Sequence, residues 1–67
     1  MLITVEYIQR ELSRLSGARG DYEIAHGLED ALRDKVLVAI ADGARNPADL
    51  AAEVLKSSDI DFKRYCA

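Results

Sequence analysis

The sequence predicts an all-α fold: a small three-helix domain with an extended C-terminal tail. Apolar residues recur every three to four positions along most of the chain, which is the period of an amphipathic helix. Glycines, an asparagine–proline pair and two serines interrupt this pattern between the predicted helices. The chain has 67 residues, of which 49% are hydrophobic, so residues 1–67 suit one folded domain rather than a disordered segment.

The first helix is predicted over residues 4–16. Thr4 is a suitable N-cap, because its hydroxyl can accept a hydrogen bond from a backbone amide of the first turn. Ile3 and Ile8 have the spacing of a hydrophobic staple around this cap. The apolar positions of the helix form a narrow seam typical of packing on another helix. They are Val5, Ile8, Leu12 and Leu15.

The second helix, residues 21–42, is the longest, and we expect the rest of the chain to be organised around it. Asp21 is a suitable N-cap, and Gly43 can end the helix in a left-handed turn. An apolar stripe and a charged face that should meet water are predicted along it. The stripe comprises Ile24, Ala25, Leu28, Ala31, Leu32, Val36, Ala39 and Ile40, and the charged face Glu29, Asp30, Arg33, Asp34 and Lys35.

Residues 36–41, VLVAIA, are apolar without interruption. A run of this length surrounds a helix completely, so it needs cover on several sides. The other two helices could supply this cover, or a second subunit could. Because a chain of this size buries only a small core, oligomerisation is the expected compensation, and we predict a homo-oligomer through the central helix. A strand is the competing interpretation, but the run continues an established helical pattern.

A third helix is predicted over residues 47–57, with Asn46 as its N-cap and Pro47 at its first position. The tail that follows is unusually apolar for a chain end. Its alternation of apolar and charged residues predicts an extended segment. Two interpretations of the tail stay open: Ile60 and Phe62 complete the core, or the tail docks on a neighbouring subunit or a target.

The charge distribution and the single cysteine limit which partners, location and cysteine chemistry we expect of this protein. The net charge is −3, from 9 basic and 12 acidic residues that are interspersed, so nucleic acid is not an expected partner. Charges within the first turns argue against a signal peptide or a spanning helix, which predicts a cytoplasmic protein without membrane attachment. The single cysteine, Cys66, allows no internal disulfide. Packing or a reversible intermolecular disulfide is expected of it, rather than catalysis.

Two residue patterns suggest alternative ligands. Glu23 and His26 share a helix face, and two such helices with further glutamates can form a di-iron site, so a metal-binding helical oligomer is one alternative. The simpler expectation is that His26 pairs with Asp30 or Glu29, or bonds to the first helix. We assign no metal ligand, cofactor or catalytic residue.

The arginines near the end of the first helix offer the second alternative. Arg10, Arg14 and Arg19 could line a nucleotide-phosphate site between subunits, which would make the protein a binder that sequesters a signalling nucleotide. A solvated face is the default interpretation of such a group.

Three segments resemble small proteins encoded by phages and prophages: DYEIAHGLEDAL, VLVAIADGA and the terminal IDFKRYCA. The shared features are a DYE-x-AH-x-x-ED block and an IDF-x-R-aromatic-C-A close. The resemblance covers residues 21–67, about two thirds of the chain. It implies an accessory protein acting in the host cytoplasm, and such proteins often bind and block host complexes, including defence systems.

The leading functional prediction is therefore a non-catalytic protein that binds a host protein complex and inhibits or modulates it. Its interaction surface is expected to use aromatic and basic residues of the first two helices and the tail. These residues are Tyr7, Arg10, Arg14, Tyr22, His26, Phe62, Arg64 and Tyr65.

Overall fold

A computed structural model describes residues 2–64 and confirms the all-α prediction. The helices are α1 (Val5–Gly17), α2 (Tyr22–Ala41) and α3 (Pro47–Leu55), followed by a 3₁₀ helix, Lys56–Asp59. All α-helix ends lie within two residues of their predicted positions. The VLVAIA run is helical, and residues 2–64 contain no strand.

Local signals fix the ends of the helices. The Thr4 hydroxyl accepts a hydrogen bond from the Tyr7 amide at 3.0 Å, and the Asp21 carboxylate accepts one from the Ile24 amide at 3.4 Å, so both predicted N-caps are confirmed. Gly43 has a φ of 93°, the left-handed conformation in which the chain turns after α2.

The start of α3 relies on proline rather than on a side-chain cap. Asn46 occupies the N-cap position as predicted, but its side chain makes no capping hydrogen bond. Pro47 at the next position has its φ already fixed near the helical value and has no amide to satisfy. The chain therefore enters α3 directly from the short α2–α3 connection.

Both shorter helices pack against α2. Tyr7, early in α1, accepts a hydrogen bond from Lys35 Nζ at 3.2 Å, so α1 runs back along α2. Arg33 Nη2 donates to the hydroxyls of Ser57 and Ser58, just beyond α3, at 3.0 Å each. The end of α3 therefore lies beside the middle of α2, and α3 also runs antiparallel to α2.

The core has two parts. The larger part lies where all three helices meet, and its buried members are Ile8, Leu32, Val36, Leu50 and Val54. The smaller part joins the end of α1, the start of α2 and the tail, through Leu15, Ala25 and Phe62. The tail thus contributes to the interior: Phe62 is only 8% exposed, and Ile60 packs beside it. Core completion, the first of the two interpretations, is confirmed for these two residues.

The prediction of which residues of α2 are exposed to solvent and which are buried is wrong in part. Ile24 and Ala31, which we placed in the apolar stripe, are exposed. Glu29, which we placed on the charged face, is buried. The physical reason is that the 3₁₀ helix and the tail cover the side of α2 that carries Glu29, while no element covers the side that carries Ile24 within residues 2–64.

Replacing Phe62 with Ala tests the contribution of the tail to the core. The Phe62→Ala variant should lower the free energy of unfolding by about 3 kcal/mol, because a buried aromatic ring is lost and a cavity is left. Urea denaturation followed by circular dichroism measures the change. Leu2 is 84% exposed, so Leu2→Ala serves as the control and should change stability by less than about 0.5 kcal/mol. Equal stability of the two variants would contradict a buried tail.

Candidate protein-binding surface

The tail is attached to α2 by an ion pair between Arg64 and the buried Glu29. Arg64 Nε donates to one carboxylate oxygen and Nη2 to the other, both at 3.1 Å, which is the two-bond geometry suited to this pair. Nη2 also donates to the carbonyl oxygens of Ser57 at 2.7 Å and Ile60 at 2.9 Å. The guanidinium carbon lies 4.0 Å from the centre of the Phe62 ring. One side chain therefore orders the tail and fastens it to α2.

The environment of Glu29 keeps its carboxylate ionised. Burial by itself raises the pKa of Glu29, because a charged group loses its hydration in the interior. Hydrogen bonds with Arg64 and Ser57, and the charges of Arg64 and Arg33, outweigh burial and hold the pKa below its usual value. The hydrogen bond with Glu29 in turn raises the pKa of Arg64.

Arg33 forms the outer edge of this cluster. Its Nη2 lies 3.9 Å from Glu29 Oε2 and also bonds to the hydroxyls of Ser57 and Ser58. Its Nε is buried and has no hydrogen-bond partner within residues 2–64. Arg33, which we expected on the charged face, thus links α2 to the 3₁₀ helix and is only partly exposed to water.

The sequence does contain a signal for the burial of Glu29. Ala25, Glu29, Leu32 and Val36 follow one another at intervals of four, three and four residues, so Glu29 lies in register with three core positions. This register alone does not predict that Glu29 is buried, because a glutamate at a core position is buried only when another side chain pairs with its charge. That partner, Arg64, lies far along the chain.

The first group of predicted interaction residues lies on α1. Arg10 is exposed, whereas Tyr7 is half-buried and bonded to Lys35. Arg14 lies 3.4 Å from Glu11 on the same helix.

The second group surrounds the start of α2 and the tail. Tyr22 is 43% exposed, and its ring lies 5.6 Å from Lys63 Nζ. His26 Nδ1 lies 3.3 Å from Asp30 Oδ2, which is one of the pairings we predicted.

Two of the predicted residues in the tail have internal roles. Phe62 fills the smaller core, and Arg64 is held by Glu29, so both support the tail instead of presenting their whole side chains to a partner. Tyr65 and Cys66 lie outside the described residues. The predicted set is therefore divided between α1 and the tail region.

The structure exposes an apolar surface that the sequence did not locate. In the VLVAIA run only Val36 is fully buried, whereas Leu37 and Val38 are 63% and 58% exposed. Leu55, at the end of α3, is 60% exposed. Helices α1 and α3 thus cover only part of the run, so they do not supply the cover on all sides that its composition requires.

Leu37 and Leu55 lie on the same side of the paired helices α2 and α3. Arg33 of α2 contacts Ser58, in the 3₁₀ helix that follows α3. Leu37 lies one turn after Arg33, and Leu55 lies nearly one turn before Ser58, so each leucine is on the same side of its helix as this contact. Leu37 is also about 200° around α2 from Lys35, which contacts α1, so it points away from α1. We call this surface the α2–α3 face. Its exposed residues are Leu37, Ala41, Ala48 and Leu55.

An open cleft of about 770 Å³ lies at another place, between the start of α1 and the α2–α3 connection. Its lining includes Leu2 and Ala44, together with the charged residues Glu6, Asp42 and Arg45. Two carboxylates accompany the single guanidinium, so the charges of the cleft are poorly matched to a phosphate group.

The residues that suggested a nucleotide or a metal ion as ligand do not form a common site within residues 2–64. The Arg19 side chain donates to the carbonyl and hydroxyl of Ser16, at 2.8 and 3.1 Å, and Arg14 is engaged with Glu11, so each arginine is bonded within its own segment. Among residues 2–64 no three side chains of metal-ligating type form a cluster. In the same part of the chain, no helix has the length and apolar character needed to cross a bilayer.

Replacing Glu29 with Gln tests the ion pair and its dependence on pH. At about pH 7 the Glu29→Gln variant should lose about 1–3 kcal/mol of unfolding free energy, because Arg64 loses a charged acceptor. Since the pKa of Glu29 is lowered on folding, its stabilising contribution is complete above the unfolded-state pKa of about 4.3 and is lost as the pH falls through the lower folded-state pKa. The difference between wild type and variant should therefore shrink below about pH 4.3.

Urea denaturation at several pH values between about 7 and 3 measures this difference. The exposed Asp34, away from the N-terminus of α2, provides the control, and Asp34→Asn should have little effect at any of these pH values. A Glu29→Gln effect that is constant over the whole range would contradict the assigned role of the ionised carboxylate.

Comparison of the chain with family models, with curated proteins and with solved structures finds no match. Its function is therefore inferred from its own residues and surfaces.

Proposed function

We propose that this protein is a non-catalytic interaction protein that binds a host protein complex in the cytoplasm and inhibits or modulates it. The observation that carries the proposal is the α2–α3 face, where Leu37 and Leu55 are each about 60% exposed. An exposed apolar patch on a small domain is typical of a protein-binding site. The class of target, which includes defence complexes, is what the resemblance to phage and prophage proteins implies.

The α2–α3 face suits protein binding because it combines apolar anchors with a firm support. Covering the exposed part of Leu37 or Leu55 is worth about 1–2 kcal/mol each, since complete burial of a leucine contributes about 1.5–3 kcal/mol. Both residues belong to α-helices whose opposite sides are packed in the core. Little conformational entropy is then lost when a partner binds, which favours affinity.

Three other predicted residues lie outside the α2–α3 face. Tyr22, Arg10 and Arg14 are exposed, and aromatic and arginine side chains are the types enriched at interface centres. They lie on α1 and at the start of α2, away from the apolar half of α2. We assign them contacts with other parts of the target complex.

Capture from the lysate of a candidate host tests this function. Wild-type protein should retain a specific partner, and the purified partner should bind the double variant Leu37→Ser/Leu55→Ser at least about 30-fold more weakly, because two apolar anchors are lost. Leu2→Ser is the matched control, since Leu2 is apolar and exposed but lies in the cleft. Failure to retain a partner, or equal binding by the double variant, would refute the assignment of this face.

We also propose that the protein self-associates through α2, as the apolar character of this helix predicts. Ile24, Ala31 and Val38 are exposed and recur at seven-residue intervals, which places them along one line of the helix. Gly27 lies next to this line, and no neighbouring atom comes within 4 Å of the position of a side chain there. A second copy of α2 therefore has room to approach closely.

Light scattering on the purified protein tests the self-association. The expected mass is a multiple of the 7.4 kDa chain, and Ile24→Lys should shift it towards the monomer, because a charge is placed in the contact. Arg10→Lys, on the exposed side of α1, is the control and should leave the mass unchanged. A monomeric wild-type protein at high concentration would end this part of the proposal.

A further inference from the structure

The outward side of α2 carries a continuous stripe whose two halves differ in character. Its members recur at alternating intervals of four and three residues, so they lie along one side of the helix. All of them are exposed to solvent. They are Glu23, Gly27, Asp30, Asp34, Leu37 and Ala41. The N-terminal half of this α2 stripe is acidic, and its C-terminal half is apolar and belongs to the α2–α3 face.

The acidic half has no basic residue of the stripe to balance it. Glu23 and Asp34 make no ion pair within residues 2–64, and Asp30 is paired only with the ionisable ring of His26. Lys35 lies on another side of α2 and is bonded to Tyr7. The stripe therefore presents carboxylates together with an apolar surface, and a complementary occupant must supply cations and apolar side chains.

A second copy of the same stripe does not meet this requirement. In a parallel pair, Asp30 and Asp34 would face their own counterparts. In an antiparallel pair centred on Leu37, the acidic half would face the negative C-terminal end of the other α2, where Asp42 lies. In an antiparallel pair centred between Asp30 and Asp34, those two carboxylates would face each other. Each arrangement brings like charges together.

We propose that the α2 stripe is the docking site for a basic amphipathic helix of the partner protein, which lies antiparallel to α2. The apolar N-terminal half of this helix covers Leu37, Ala41 and the neighbouring Leu55. Lysines and arginines in its C-terminal half face Asp30 and Asp34. In this orientation the basic residues also lie at the negative end of their own helix dipole, which stabilises the docked helix. The proposal rests on the proposed function and specifies the chemistry of the partner.

The length of the stripe determines the probe. From Glu23 to Ala41 the stripe is about 27 Å long, so a helical peptide of about 18 residues spans it. The probe carries leucines in its N-terminal half and lysines in its C-terminal half, at intervals of three and four residues. A second peptide with glutamates in place of the lysines is the matched control. Fluorescence anisotropy with labelled peptides gives the dissociation constants.

We expect the lysine peptide to bind the wild-type protein and the glutamate peptide to bind at least about tenfold more weakly. Asp30→Asn/Asp34→Asn should weaken binding of the lysine peptide about fivefold and reduce its dependence on salt, because the ion pairs are lost. Leu37→Ser should weaken it about tenfold, whereas Asp49→Asn, a neutralised carboxylate on α3, should leave it unchanged. Circular dichroism confirms that each variant is folded.

Three outcomes would overturn the proposal. The first is that the lysine peptide does not bind, and the second is that both peptides bind equally. The third is a dimer in light scattering that Leu37→Ser dissociates while Ile24→Lys does not, because a second copy would then occupy the stripe.

Repeating the lysate capture with Asp30→Asn/Asp34→Asn separates this proposal from the proposed function. If wild type and variant retain the partner equally, the proposed docking of a basic helix on the α2 stripe is refuted, whereas the proposed function is not. If wild type retains no partner, the function fails, and the peptide titration still decides whether the stripe binds a basic helix.

Discussion

The position of the tail depends on one ion pair, in which the buried carboxylate of Glu29 holds the partly exposed guanidinium of Arg64. Between residues 60 and 64 the backbone makes few hydrogen bonds of its own, so side chains set the position of this part of the tail. Arg64 is bonded to Glu29 and to three carbonyl oxygens of the preceding segment, those of Ser57, Ile60 and Phe62. These bonds hold the chain where Phe62 can close the smaller core. Without Arg64, a buried glutamate at this position of α2 would make the fold less stable than an apolar residue would.

The two sides of α2 have different surroundings. One side packs against α1, α3 and the tail and supplies Val36 and Leu32 to the core. The opposite side makes no comparable contacts within residues 2–64 and has an acidic half and an apolar half. Leu37 belongs to the same apolar run as Val36, yet the two residues differ in exposure by more than half of a side chain. The same twenty residues therefore contribute to the core on one side and carry the proposed binding surface on the other.

Much of the fold could be predicted because its signals are local. Thr4, Asp21 and Gly43 act on the turns next to them, so the sequence around each one suffices. The burial of Glu29 could not be predicted with the same means, since it depends on Arg64, which is 35 residues away. The candidate site was also missed. The composition of VLVAIA indicated that the helix needs a neighbour, but only the placement of a nine-residue α3 decides that Leu37 stays uncovered.

The sequence separation of the Glu29–Arg64 pair also has a consequence for the order of folding. Leu15 and Ala25, on either side of the α1–α2 turn, lie in the same part of the core only ten residues apart along the chain, so they come together with a small loss of loop entropy. The tail must close a loop of 35 residues to bring Arg64 to Glu29. We therefore expect the tail to dock late in folding, with its contacts largely absent from the transition state. Contacts that form after the transition state act mainly by slowing unfolding, so we expect the ion pair to affect the lifetime of the native state more than the rate of folding.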